Sequence, residues 1–249
     1  MDKLSAVIIT YNEERNVDRC IHSLQGVVDE ILAIDSLSTD RTKSICTKLG
    51  VRFYEQPWLG YSEQKNQGNA LAKFDYVLSI DADEALSDEL KKSILELKQK
   101  GFSGAYRFNR LTNYCGQWIH HSGWYPDAKV RIFNRNQVKW TGAIHETLTL
   151  ENTQVQPLKG DLLHYSYYTE AEHYRQIEKF TNIAAQDYFE KNKKVPTIKL
   201  WLSPAAKFIR DYVIKRGFLD GKAGLKICLL SAKTTYLKYY KLKQLLKKA

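Results

Sequence analysis

Two carboxylates stand where an apolar run ends. Tyr76-Val77-Leu78-Ser79-Ile80 reads as a buried strand, and Asp81-Ala82-Asp83 follows it directly. Side chains two apart on an extended chain share a face, so both aspartates can point at one place. Mg²⁺ is usually held by one or two carboxylates together with substrate phosphates, not by a cage made wholly of protein. This Asp-x-Asp motif therefore points to phosphate-ester chemistry. A plainer reading competes with it, in which Asp-Ala-Asp-Glu is a polar turn and Ser87 caps the next helix. Short acidic motifs do not decide such a question alone; the elements that position them do.

Those elements alternate. Ala6-Val7-Ile8-Ile9, Ile31-Leu32-Ala33-Ile34, residues 51–54 and residues 76–80 read as strands. Between and after them, residues 14–25, 40–49, 62–72 and 87–100 read as helices, two of them stopped by Gly50 and Gly101. The pattern predicts an α/β fold: a mainly parallel, Rossmann-like sheet with helices on both faces. Such open sheets bind ligands beyond the carboxyl ends of their strands. The polar residues cluster at those ends, in Thr10-Tyr11-Asn12-Glu13, in residues 35–40 and in residues 81–83. No Gly-x-Gly-x-x-Gly follows the first strand, which disfavours a nicotinamide oxidoreductase, and Gly-x-x-x-x-Gly-Lys-Ser/Thr is also missing.

Beyond residue 104 the texture changes to short aromatic-rich runs, including Val130-Arg131-Ile132-Phe133 and Leu162-Leu163-His164, which read as antiparallel strands finishing the sheet. Residues 170–191 read as a helix. Pro196 and Pro204 mark a loop before a helix at 205–216, residues 217–224 form a turn, and the chain is helical from Leu225.

Charge is unevenly spread over the 249 residues. Residues 193–249 carry 15 Lys and Arg against Asp211 and Asp220, whereas the first 192 carry 23 basic against 26 acidic residues. A weakly acidic body with a basic, aromatic-bearing tail points to an anionic partner, a membrane face or a nucleic acid. No apolar stretch approaches the roughly 18–20 residues needed to cross a bilayer. Cys20, Cys46, Cys115 and Cys228 form no Cys-x-x-Cys pair and no signal-like segment opens the chain. That favours a reduced, cytoplasmic setting with buried thiols.

The ordered set resembles family 2 glycosyltransferases of the GT-A fold over nearly the whole chain. Its carriers are Val7-Ile8-Ile9-Thr10-Tyr11-Asn12-Glu13-Glu14, Asp35-Ser36-Leu37-Ser38-Thr39-Asp40-Arg41-Thr42, Gln64-Lys65-Asn66 and Asp81-Ala82-Asp83. Further along, Arg131-Ile132-Phe133, Trp140-x-Gly142, His145-Glu146, His164-Tyr165-Ser166 and Gly217-Phe218-Leu219-Asp220-Gly221 resemble the bacterial subgroup that includes lipopolysaccharide core glucosyltransferases.

The resemblance implies an inverting glycosyltransferase that uses a nucleotide-sugar, most often a UDP-sugar, and a divalent metal, Mg or Mn. It would place Thr10, Tyr11, Glu13 and Asp35 around the base and ribose and Lys65 near the diphosphate. Asp81 and Asp83 would hold the metal and the donor, with His164 as a further ligand or diphosphate contact; a strand histidine satisfied by backbone is the rival. Glu146 is the expected base, at a place where His145-Glu146 stands instead of the more common acidic pair. A partly desolvated carboxylate suits that role. His145 and Trp124 are the expected acceptor contacts, core packing being the alternative for the tryptophan. Arg131 fits either a phosphate contact or a structural ion pair.

Residues 1–192 are thus expected to form the catalytic domain and residues 193–249 a basic helical region on the membrane. There Phe208, Tyr212, Phe218 and Leu219 interleave with Lys207, Arg210, Lys215, Arg216 and Lys222. The expected setting is cytoplasmic and peripheral, at the inner face of the cell membrane, with a lipid-linked or lipopolysaccharide-core glycan as acceptor and no nucleic acid. Two other readings remain at this point. A nucleotidyltransferase can also use a carboxylate pair on an α/β sheet, but its Gly-rich loop is absent. A nucleic-acid-binding protein would explain the tail but leave Asp81, Asp83 and Glu146 without a role.

Overall fold

The computed structural model describes residues 1–142, 146–193 and 195–248. Its contacts gather into two compact units, Met1–Arg110 with Asp127–Tyr165, and Leu111–Pro126 with Ser166–Ala249. The units do not follow chain order.

The first unit opens with β1 (Leu4–Thr10), α1 (Val17–Leu24), β2 (Glu30–Asp35), α2 (Thr42–Lys48), β3 (Arg52–Glu55), α3 (Tyr61–Leu71) and β4 (Tyr76–Asp81). β5 (Glu84–Leu86), α4 (Asp88–Lys100), β6 (Ala105–Tyr114) and β8 (Ala128–Asn134) follow, while β7 (Gln117–Ile119), next after β6 in the chain, belongs to the second unit. The hairpin β9 (Trp140–Thr141) and β10 (Thr147–Leu148) precedes β11 (Val155–Tyr167). The main sheet runs β3-β2-β1-β4-β8-β6-β11-β5, with β7 paired to β6. β3, β2, β1 and β4 are parallel, and β8 joins β4 antiparallel. The expected mainly parallel α/β sheet is thus present. β5 is an addition, because Glu84 to Leu86 continues as a strand where the acidic motif reads as a turn.

Alternation along β1 sends Leu4, Ala6 and Ile8 to one face, where they join Val17, Ile21 and Leu24 of α1 and Leu90 and Ile94 of α4. Val7 goes to the other face, with Leu32, Ile34, Val77 and Phe133. On that second face α3 lies against β1 closely enough that a Cβ on Gly68 would meet Val7 Cγ1 at 2.3 Å. Only glycine permits this approach. α1 begins at Val17, three residues later than the pattern suggests, after a turn closed by Val17 N–H donating to Glu13 O.

In the second unit, α5 (Glu170–Glu190) starts with a capping box made by Thr169 and Glu172. α6 (Lys199–Ile209) runs through Pro204 and into a π-helical turn, Arg210–Ile214. Sequence reading placed a loop at Pro204 and a helix after it. A proline in a helix removes one N–H bond and crowds one carbonyl, and here the helix forms nonetheless. A 3₁₀ turn, Gly217–Asp220, leads into α7 (Gly221–Lys248), so the segment expected as a turn to Gly224 is already helical from Gly221. A Cβ on Gly224 would lie 1.9 Å from Gly217 O, so this junction also depends on a missing side chain. Tyr114, Ile119 and Ile227 form the core, with Trp124, Tyr167 and Ala223 against them. Three cysteines are buried as expected, but Cys115, at φ 51° beside Gly116, is exposed.

Candidate active site

Strand order creates the crevice. From β1 the chain steps to β2 and β3 on one side and to β4 on the other, and an open α/β sheet binds ligands at such a switch point. Register brings the polar strand ends level, with Thr10 beside Asp35 and Ile9 beside Asp81.

At the β1–β2 end, Asp35 is fully buried. It accepts hydrogen bonds from Thr10 Oγ1 at 2.7 Å, Ser38 Oγ at 2.6 Å and Ser38 N at 2.7 Å. Thr10 and Asp35 therefore brace the loop after β2. Tyr11 is 60% exposed, its ring open to a flat ligand. Asp40 caps the turn instead of facing the crevice, accepting from Thr42 N and Glu14 N. Glu13 accepts from Asn16 Nδ2 at 2.8 Å. Burial pushes its carboxyl from the usual 4.5 up to about 7, with Asp83, Asp40 and Asp81 adding to the rise against the Asn16 bond.

At the β4 end the charges interlock. Lys65 lies one turn before Gly68 on α3 and is buried. Its Nζ reaches Glu146 Oε1 at 2.9 Å and Asp81 Oδ1 at 3.3 Å, and sits 4.6 Å from the centre of the Trp140 ring. Arg131, buried in β8, donates to Asp81 Oδ2 at 2.9 Å and to both Glu84 oxygens at 2.8 and 3.1 Å. Burial alone would raise the Asp81 carboxyl; the Arg131 guanidinium and the Lys65 ammonium outweigh it and hold that carboxyl well below the usual range. Burial and the Asp81 charge push Glu84 upward against the pull of Arg131.

Glu146 is set by the β9–β10 hairpin, which α3 grips. Asn66 Nδ2 donates to Trp140 O, Trp140 N donates to Asn66 Oδ1, and Ser62 Oγ donates to Gly142 O. Lys65, Asp81, Arg110, Arg131, Trp140 and Glu146 line a cleft of about 470 Å³, a size suited to a small polar ligand.

Asp83 and His164 form a separate pair, Oδ2 to Nε2 at 3.2 Å, with β5 and β11 bringing them together. Neighbouring ligands on an octahedral cation with bonds of about 2.1 Å lie about 3 Å apart, so this pair fits two adjacent positions. Asp81 Oδ1 is buried and faces Lys65 Nζ at 3.3 Å, so Asp81 is already held by two bases. Among the described residues no group of three or more His, Cys, Asp or Glu converges as a full cage. The donor set therefore fits a cation completed by phosphate oxygens and water.

The sequence-derived set thus divides. Lys65, Asp81 and Glu146 are brought into one cleft, and Asp83 meets His164. His145 lies outside the described residues. Trp124 belongs to the second unit, where its ring packs 5.8 Å from Tyr114 and 5.9 Å from both Tyr167 and His173. Sequence reading gave Glu84 and Arg110 no role, and quoted Asn66 only as part of the Gln64-Lys65-Asn66 motif. Glu84 had a signal, being a third acid beside the aspartate pair. Its complement Arg131 is the one charge in the run Val130-Arg131-Ile132-Phe133, and an ion pair is one of the two roles open to it.

Residues 5–150, more than half of the chain, match the family described as Glycosyl transferase family 2, and the chain belongs to that family. It is a glycosyltransferase with a GT-A fold, which sets the nucleotidyltransferase reading aside. It is 28% identical over 258 residues to an uncharacterized glycosyltransferase of Rickettsia typhi, covering 98% of this chain and 88% of that one. It is 26% identical over 251 residues to the lipopolysaccharide core biosynthesis glycosyltransferase LpsC of Rhizobium meliloti, covering 95% and 93%. Among solved structures, residues 1–349 of TarS from S. aureus align with 99% of this chain and 92% of that chain, at 14% identity and a TM-score of 0.49.

Proposed function

We propose that this glycosyltransferase moves a sugar, with inversion and with Mg²⁺ or Mn²⁺, from a UDP-sugar to a lipopolysaccharide core or related cell-envelope glycan. The observation that carries the reading is the union of Asp81, Lys65 and Glu146 in one cleft at the switch point. The Asp83–His164 pair lies two residues along from Asp81. The name of LpsC supports the core-glycan acceptor.

In this reading Tyr11 offers its open ring to the base, while Asp35 and Thr10 hold the loop on which the ribose rests. Glu13 sits beside them. Asp83 and His164 would hold the cation, and Asp81 would stand with them at the end of β4. When bound, the cation neutralises the departing diphosphate. Lys65 Nζ adds a fixed positive charge at the same side, preorganised by burial. The acceptor hydroxyl oxygen bonds to the anomeric carbon as the bond from that carbon to the diphosphate oxygen breaks. The hydroxyl proton passes to the Glu146 carboxylate, and the electron pair leaves with the nucleoside diphosphate. Glu146 is oriented for this by Lys65. His145 is kept as an acceptor contact of this reading, and Trp124 as a separate proposed acceptor contact on the second unit.

Catalysis is assigned to residues 1–192 and membrane contact to residues 193–249, at the cytoplasmic face of an anionic membrane. The attachment proposed is peripheral; no helix among the described residues is long and apolar enough to cross a membrane. The direct test is a donor panel of UDP-, GDP- and dTDP-sugars with Mg²⁺ or Mn²⁺, read by thermal shift and nucleotide release. Stabilisation by UDP-sugars that disappears with a chelator supports the reading; stabilisation that ignores the metal refutes its metal-dependent part.

A further inference from the structure

Large apolar side chains are exposed in a dense run at the α6–α7 end of the second unit. Ile214 is 70% exposed, Trp201 68% and Leu202 63%, and Ile209, Val213 and Leu219 are each more than half exposed. Leu202, Ile209 and Val213 follow at steps of seven and four, which is one face of a helix. The π turn closes through Lys215 N–H donating to Arg210 O at 2.7 Å. It keeps Asp211 inside while Val213 and Ile214 both face out. Phe208 and Tyr212, named with the lipid-facing set from sequence, instead stack on each other at 5.2 Å and are partly covered.

The charges are sorted in the same way. The only acids after residue 192, Asp211 and Asp220, are 1% and 4% exposed. Asp211 is paired with Lys207 and Arg210. Asp220 accepts from His120 N, His121 N and Ser122 Oγ. Lys215, Arg216 and Lys222 are exposed in the same stretch as the apolar run. The outward field of this surface is therefore made by bases alone, interleaved with aliphatic side chains.

We propose that this surface, from Trp201 to Lys222, is a docking face for an anionic phospholipid bilayer, with Ile209, Val213, Ile214 and Leu219 entering the acyl boundary and Lys215, Arg216 and Lys222 meeting headgroups. The inference rests on the peripheral-membrane part of the proposed function and supplies its surface. Aliphatic groups ringed by lysine and arginine are what an amphipathic interfacial segment presents to anionic lipid. A second copy of the chain would bring like charges together. A nucleic acid would use stacking aromatic rings, whereas the exposed groups here are mainly aliphatic.

The test uses the full chain with vesicles of phosphatidylcholine, with and without about 30% phosphatidylglycerol, at low and high salt. Flotation should occur with the anionic vesicles at low salt. The triple variant Ile209→Ser/Val213→Ser/Ile214→Ser should lower the partition constant at least about tenfold at either salt. Lys215→Gln/Lys222→Gln should lower it about tenfold or more at low salt only. Both variants should keep the parent melting temperature and donor-induced thermal shift, so loss of docking is separable from failure of the glycosyltransferase reading. Should the triple variant misfold, an environment-sensitive dye on Ile214→Cys, in a Cys115→Ser background, should shift blue on anionic vesicles, while the same dye on Lys92→Cys should not. The proposal is overturned if the parent chain does not float at low salt or if the serine variant floats equally well. It is also overturned if light scattering shows a lipid-free dimer that the serine variant abolishes, or if RNA and not lipid binds in a manner that variant removes.

Discussion

Both units bury acids, and they satisfy them differently. In the first, Glu84 is met by Arg131, itself buried, and Asp81 is shared between Arg131 and Lys65. In the second, Asp211 also meets two bases, Lys207 and Arg210, but Asp220 is met by two backbone N–H groups, a hydroxyl and the His121 ring, without a lysine or arginine. Charge against charge, at the rim of a cleft, leaves a strong field where a diphosphate would depart. Charge against neutral donors builds a rigid helix start and leaves the surrounding bases unneutralised. The same residue type thus serves chemistry in one unit and, by being hidden, surface potential in the other.

The largest effect that can test this division is on transfer. Glu146→Gln is expected to retain the donor-induced thermal shift while lowering kcat by about 10²–10⁴, whereas Asp83→Ala should weaken donor binding as well as turnover. Single-turnover assays with a donor and a glycan acceptor separate the two. Transfer at the parent rate by Glu146→Gln would end the assignment of that residue as the base.

Next comes stability. Removing one partner of a buried ion pair costs about 3–5 kcal/mol; Glu84→Gln does this to Arg131, which keeps Asp81 as its second carboxylate, so the lower end is expected. Asp220→Asn keeps one acceptor oxygen and should cost about 1–3 kcal/mol. Denaturant unfolding, followed by hydrogen exchange in peptides from each unit, reads both. A cost for Asp220→Asn above that of Glu84→Gln would break the comparison.

The first unit was legible because its signals are local. Apolar runs of four or five residues mark β1, β2 and β4, and polar residues pile up where they end. The Asp-x-Asp motif and the residues of the family resemblance sit at those ends. What stayed hidden depends on contacts far apart in sequence. Arg131 and Glu84 are 47 positions apart and become a pair only when β8 docks on β4. Trp124 does lie in a Gly- and Pro-flanked turn, but its packing against Tyr114, Tyr167 and His173 joins residues far apart in sequence. In the second unit the local signals mislead. Pro204 lies within α6, and the two glycines of Gly217 and Gly224 make a close helix junction where their composition suggests a turn.

Titration gives two buried groups, one from each unit, opposite signs. Glu13 in the first has its carboxyl raised from 4.5 to about 7, chiefly by burial. The folded state then holds a proton that the unfolded chain has lost, so this contribution to stability is complete below about 4.5 and disappears as pH rises to about 7. Glu13→Gln should remove that slope and stabilise the protein by about 1–3 kcal/mol at pH 8 relative to parent. Melting temperatures across this range, compared between parent and variant, check it; parallel curves would show that Glu13 ionises as freely folded as unfolded.

His173 gives the smallest and opposite effect. Its ring lies 4.5 Å from that of Tyr167, its Nδ1 is 3.3 Å from Tyr114 Oη, and burial lowers its pKa from 6.5 to about 4. The unfolded chain takes up a proton near 6.5 that the folded unit refuses until about 4. Stability of the second unit is therefore intact above about 6.5 and falls as pH drops through that window, by about 1–2 kcal/mol. His173→Phe keeps the aromatic packing and has no proton to bind. It should flatten the acid limb of the second unit's hydrogen-exchange protection while leaving the first unit's Glu13 slope untouched. If the acid limb survives in the variant, another group of the second unit carries it, and the opposition between the two groups loses its histidine half.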